Sequence, residues 1–287
     1  MDAAPRRSSV HQLSCNLERW YHLSQELYYT NRKPTDIWVP PIPTHHPNRN
    51  AIVTSVFTPD RALSAAVLGH SISRYSNAAS IEEGGELAEQ CKNVDMVLIY
   101  LPGAVESEER RKLEQVGWTL VPVEPVYGPK DAAEPYTKFR AFDFTQYAHI
   151  LMLDSDTLVV SQDVYRIFDL DLDFAGVTNQ YTDRQFHQPI DTGVLYFRPG
   201  EDLARFVLSR VNSSDYPHGE GEQSLVRTFL KHATTHLPIE WNVSLKGKPA
   251  WRGEWAILRP RFKILHYTHP KPFLHDARDF VGTIWAE

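Results

Sequence analysis

Ile150-Leu151-Met152-Leu153-Asp154-Ser155-Asp156-Thr157-Leu158-Val159-Val160 sets two carboxylates one residue apart between apolar runs. The run before Asp154 reads as a strand buried on both faces, the pattern of a largely parallel sheet. A charge inside such a strand carries a severe desolvation cost, so the pair belongs where the strand ends. In open α/β sheets that end is where ligands bind. Two carboxylates there suit a hard divalent cation, Mn²⁺ or Mg²⁺, shared with phosphate oxygens.

Three readings compete for the motif. One is an acidic turn in which Asp154 or Asp156 caps a following helix. Another is a phosphatase of the haloacid-dehalogenase type, whose apolar strand followed by Asp-x-Asp-x-Thr this stretch also matches. The third is a nucleotide-sugar transferase that holds a metal against a diphosphate. Position weighs against the phosphatase, because strand-like and helix-like segments already fill the residues before Asp154. Asp169, Asp171 and Asp173 follow far too soon to serve as its later acidic pair.

Those earlier segments alternate. Residues 51–57 read as a strand, 61–75 as a helix, 94–101 as a strand, 107–116 as a charged helix and 118–123 as a third strand. The alternation implies parallel strands joined by crossover helices. A helix is expected over 136–147, leading into the Asp-x-Asp strand. Beyond it, short strands at 174–177, 193–197 and 262–267 make the second half mixed. Residues 1–49 differ in kind: one possible helix over 13–29, then Pro34, Pro40, Pro41, Pro43 and Pro47, which rule out regular structure. The expected organisation is an extension over 1–49 docked on an α/β domain over 50–287.

The 287 residues can bury a substantial core, and 42% hydrophobic with 23% charged content suits a globular enzyme. A formal charge of −6 argues against a nucleic-acid partner. No apolar run is long enough to span a bilayer and no secretory signal is visible. Cys15 and Cys91 are in no metal-like spacing and read as free thiols, so the expected location is cytoplasmic. The Asn-x-Ser sequons at Asn212 and Asn242 read as chance matches.

Several ordered segments together resemble the retaining glycosyltransferases of family 8, the glycogenin and galactinol synthase group with a nucleotide-binding GT-A fold. They run from Ala51-Ile52-Val53-Thr54 and Ala66-Val67-Leu68-Gly69 through Val123-Glu124-Pro125-Val126-Tyr127 and Tyr136-Thr137-Lys138-Phe139 to the Asp-x-Asp strand. Asp191-Thr192-Gly193-Val194, Glu222-Gln223, Trp241-Asn242-Val243, His266-Tyr267 and Lys271-Pro272-Phe273 follow. The resemblance implies that Asp154, Asp156 and His266 hold Mn²⁺. It sets Ser55, Phe57 and Thr58 against uracil and ribose, with Ser155 also near the ribose. Lys138 and Lys271 would neutralise diphosphate and leaving-group charge, and Asp191, Thr192, Glu222 and Gln223 would line the sugar.

The implied reaction moves a hexose, glucose or galactose, from a UDP-sugar to a hydroxyl acceptor (a sugar, polyol or protein) with retained anomeric configuration. A nucleotide-sugar binding protein without turnover is the alternative. Three departures stand out: the family's Asn-x-Gly is here Asp191-Thr192-Gly193, glycogenin's acidic Asp is Glu222, and the loop from His266 to Lys271 is a residue shorter than glycogenin's and lacks its Gly. Taken singly, each position has a plainer role. His266 could be a core histidine, Lys138 a solvated helix residue, Gln223 a cap for a helix starting near Ser224, and Asp191 a turn residue. Lys271 sits in a stiff Pro-flanked loop, which favours a fixed role.

Overall fold

A computed structural model describes residues 49–81, 91, 93–178, 190–245, 252–268 and 271. The expected extension, its helix over 13–29 and Cys15 lie outside the described residues, apart from Arg49.

The first half winds as the alternation predicts. β1 (Asn50–Val56) leads through a 3-10 turn at Pro59–Arg61 into α1 (Ala62–Ile81), then β2 (Val94–Tyr100), α2 (Ser107–Gln115) and β3 (Thr119–Pro122). At the start of α2, Glu106 and Glu109 bond each other's backbone N–H in a capping box. β2 pairs with β1 and β3, and β1 with β4 (Ile150–Leu153), all in parallel. Alternate side chains feed two cores, one on each face of the sheet. Val53, Val97 and Met152 pack with Phe139 and Phe142 on one face; Ile52, Leu98 and Leu151 pack with Leu68 and Trp118 on the other. This double burial is why β4 is apolar at every position.

The helix expected over 136–147 is shorter and tighter. α3 (Glu134–Thr137) gives way at once to a 3-10 turn over Lys138–Asp143. A three-residue repeat superposes side chains at i and i+3. Phe139 and Phe142 are thereby stacked with ring centroids 5.1 Å apart, and Phe142 meets Phe197 edge-on at 4.6 Å. Aromatic packing decided the winding here. It also leaves Lys138 facing the end of β4.

After β4 the chain turns through Asp154-Ser155-Asp156 and leaves the main sheet as β5 (Thr157–Val159). A 3-10 segment (Gln162–Asp169), β6 (Phe174–Thr178) and β7 (Ile190–Phe197) follow, then α4 (Glu201–Leu208), α5 (Glu222–Phe229), β8 (Thr235–Leu237), β9 (Val243–Ser244), α6 (Arg252–Leu258) and β10 (Ile264–His266). Among the described residues the main sheet has seven strands in the order β3-β2-β1-β4-β7-β6-β8, and a small sheet has the order β5-β10-β9. β7 runs antiparallel to both β4 and β6, so the second half is mixed, as expected. β7 begins three residues before the expected 193, because Ile190, Asp191 and Thr192 are buried despite their polar members. No described helix is long and apolar enough to cross a membrane.

Candidate active site

Three strand ends build the site. β1 and β4 run in parallel, so Ser55, Phe57 and Thr58 arrive at the same edge as Asp154, Ser155 and Asp156. β7 starts at that edge because it runs the other way, which brings Asp191, Thr192 and Gly193 alongside. The Gly193 carbonyl accepts the Asp154 N–H at 2.8 Å, and the Asp154 carbonyl accepts the Thr157 N–H and hydroxyl at 3.0 and 2.8 Å. The acidic pair therefore forms a fixed turn, and neither carboxylate caps a helix.

Asp154, Asp156 and His266 each offer one ligand atom, all within 4.8 Å of one another. His266 Nε2 lies 3.3 Å from Asp156 Oδ1, and its Nδ1 faces Asn242 Oδ1 at 3.1 Å. With one ring nitrogen occupied by an amide oxygen and the other turned to the carboxylates, the triad presents a mixed oxygen and nitrogen donor set. That set fits Mn²⁺ or Mg²⁺, with the imidazole favouring the former. Gly193 makes room for it: a Cβ there would fall 2.1 Å from His266 Cε1.

The charges are interlocked. Lys138 Nζ, buried with its side chain only 5% exposed, donates to Glu222 Oε1 at 2.9 Å, Asp154 Oδ1 at 3.1 Å and the Thr192 carbonyl at 3.1 Å. Burial alone would lower the pKa of this ammonium, but the Asp154 and Glu222 carboxylates outweigh it and raise it above the ordinary lysine value. Burial holds the Asp154 carboxyl above its usual range, against the pull of Lys138. For Asp156 the balance reverses: burial is overcome by bonds to His266 and Lys271, and its pKa falls. Lys271 Nζ pairs directly with Asp156 Oδ2.

An open cavity of about 190 Å³ spreads in front of this network. Ser55, Phe57, Thr58, Lys138, Asp154, Ser155, Asp156, Glu222 and Lys271, all expected from sequence, line it together with Arg61, Glu134 and Pro135, which were not. Of the remaining expected residues, Asp191 and Thr192 are buried, and His266 stands behind the Asp pair. Gln223 is the second residue of α5, whose N-cap is Gly221 at φ 57°, so Gln223 is not the cap residue. Thr192 Oγ1 donates to Glu222 Oε1 at 2.8 Å, tying β7 to the start of α5.

Sequence reading missed Asn242 as a site residue. The signal was a polar side chain between Trp241 and Val243; it is 1% exposed, and such an amide needs a buried partner. Its sequon is accordingly closed to modification in the folded chain. Arg61 and Glu134 carried a fainter signal, Arg61 as the basic end of the 3-10 turn after β1 and Glu134 as a charge in the first turn of α3.

No protein-family model matches the chain. Galactinol synthase 2 from Ajuga reptans is 24% identical over 208 residues, covering 60% of this chain and 70% of that protein. Across the galactinol synthases it matches, the chain spans 61–70% of their length. Among solved structures, the apo WbbM bifunctional glycosyltransferase superposes with a TM-score of 0.58 at 18% identity, over 81% of this chain and 48% of that one. The galactosyltransferase LgtC, in complex with donor and acceptor sugar analogs, superposes with a TM-score of 0.52 at 14% identity, over 80% of this chain and 91% of that one. The fold is that of the GT-A glycosyltransferases, and the sequence is similar to the galactinol synthases of family 8. The sequence likeness supports a glycosyltransferase.

Proposed function

We propose that the chain transfers a hexose, glucose or galactose, from a UDP-sugar to a hydroxyl acceptor with retention of anomeric configuration. The observation that carries this reading is the Asp154–Asp156–His266 donor set, the Asp pair at the C-terminal end of the parallel strand β4 and His266 from the small sheet, with Lys138 and Lys271 beside an open cavity. A divalent cation held by these three residues would supply charge neutralisation for the diphosphate of the leaving UDP.

The chain's own groups do the rest. Ser55, Phe57 and Thr58 receive uracil and ribose at the end of β1, and Ser155 meets the ribose. Lys271, which lines the cavity beside Asp156, offers an ammonium to the diphosphate, a charge-assisted contact in a partly dry site. Lys138 holds Asp154 and Glu222 in place. Glu222 and Gln223, at the start of α5, face the hexose. No carboxylate is assigned as a covalent nucleophile. The acceptor oxygen attacks the anomeric carbon from the side the diphosphate leaves, the bond to the phosphate oxygen breaks, and that oxygen takes the acceptor's proton.

The test is UDP release from UDP-glucose and UDP-galactose with Mn²⁺, across sugar, polyol and protein acceptors, with intact-mass analysis of the chain. Chelator-sensitive release that is lost in Asp156→Asn is the expected result. Tight UDP binding with no release under any condition would instead make the chain a binding protein.

A further inference from the structure

β7 is irregular where it meets the site. Its pairing with β6 jumps from Gly176↔Leu195 to Val177↔Asp191, so one step along β6 spans four residues of β7. Bulges of this kind re-aim side chains beside active sites. Here the bulge folds Asp191 back on its own strand: Oδ1 accepts the Gly193 N–H at 2.9 Å, a local Asx closure. The side chain is 9% exposed. Among the described residues, Oδ1 also faces His266 Nδ1, at 3.7 Å.

That same Nδ1 bonds Asn242 Oδ1 at 3.1 Å. An amide oxygen only accepts, so Nδ1 carries a hydrogen in this contact, and Nε2, 3.3 Å from Asp156 Oδ1, is the nitrogen turned to the Asp pair. Outer-shell partners of this sort set the tautomer and rotation of a ligating histidine. The family pattern has Asn where this chain has Asp191. An Asn would keep the Gly193 bond and lose the charge, so the charge itself is what distinguishes this chain.

We propose that Asp191 and Asn242 are positioning residues of the cation site, acting through His266, and that Asp191 does not contact the donor sugar. Asn242 fixes the tautomer and orientation of the ring. Asp191 adds a fixed negative charge behind it, which strengthens the hold on a divalent cation. The inference rests on the metal reading above, and it reassigns a residue that the resemblance set against the sugar.

The test is titration of the full chain, free of nucleotide, with Mn²⁺ alone, following the free-ion signal by electron paramagnetic resonance. Asn242→Ala should weaken Mn²⁺ binding roughly 10- to 100-fold, the usual loss for an outer-shell partner. Asn242→Asp, which retains the acceptor oxygen, should restore it. Asp191→Asn, which keeps both shape and turn, should weaken it about tenfold, at the lower end of that range. Transfer by Asp191→Asn should fall at low Mn²⁺ and recover as the ion is raised. Unchanged Mn²⁺ affinity in Asp191→Asn, with transfer reduced at every Mn²⁺ concentration, would put Asp191 on the sugar and overturn the inference alone. A wild-type chain that binds no Mn²⁺ would overturn the metal reading itself.

Discussion

Removing the Lys138 ammonium with a side chain of similar length, as in Lys138→Met, strands three acceptors at once. Breaking a buried ion pair by deleting one partner costs about 3–5 kcal/mol, because a charge is left without compensation. Glu222 has only 14% of its side chain exposed and the Thr192 carbonyl lies in a buried strand, so both bear the full loss. Asp154 is 32% exposed and water replaces part of its contact. The lower end of the range, about 3 kcal/mol, is therefore expected. At about 2–4 °C per kcal/mol for a domain of this order, the midpoint of thermal unfolding should drop by about 6–12 °C. The pH dependence gives the sharper test. In the wild type the pKa of Lys138 is raised, so its contribution is complete below its unfolded value near 10.5 and constant across neutral pH. In the variant, Asp154 loses its cation, and its carboxyl, already held above its usual range by burial, rises further. The native state then holds protons that the unfolded state releases, and the penalty should shrink as pH falls from 7 toward 5. Urea unfolding at several pH values, with Lys138→Met/Glu222→Gln recovering part of the loss, checks this. A penalty below about 1 kcal/mol at pH 7, or one that grows on acidification, would refute the brace.

Two further outcomes follow from the geometry. Gly193→Ala drives a Cβ into the His266 ring, so it should abolish Mn²⁺ binding in a titration and cost about 1–3 kcal/mol of stability by overpacking. His149 is buried against Tyr196, its Nε2 has no hydrogen-bond partner among the described residues, and burial with Arg198 nearby lowers its pKa to about 4 from 6.5. Such a group stabilises the fold fully above the unfolded pKa and loses that stability as pH falls from about 6.5 to 4. The loss amounts to about 3 kcal/mol at 1.36 kcal/mol per pKa unit, and His149→Phe should remove this increment from the pH–stability curve measured in urea.

The Asp-x-Asp strand was readable because burial on both faces leaves its sequence no polar positions, and the charges could only follow it. β1 and β2 were readable from their apolar runs, with ends off by one residue; the crossover helices were readable from helical spacing and charge, but the first runs to Ile81, six residues past the expected 75. The 3-10 turn over Lys138–Asp143 was not, since apolar residues three apart fit either winding and contact with Phe174 and Phe197 decides between them. The start of β7 was missed because Asp191 and Thr192 are buried for the site rather than for the core. Lys138 could be named from sequence, but one of its partners is the backbone carbonyl of Thr192, which no residue pattern encodes. The partnership of Asn242 with His266 is likewise set by the pairing of β9 with β10, not by local spacing.

The small sheet has a consequence for how the site comes into being. β5 and β9 flank β10 and do not pair with each other, so the central strand is the one furthest along the chain. Until it docks, neither flanking strand has its ladder partner, and the Asp turn opening β5 lacks the Tyr267 N–H that bonds the Asp156 carbonyl at 2.9 Å. The cation site thus cannot assemble in a nascent or partly folded chain: its nitrogen ligand arrives on the closing strand. An ion that binds only the finished arrangement would draw that last docking step to completion, serving as a latch on the fold as much as a participant in the chemistry.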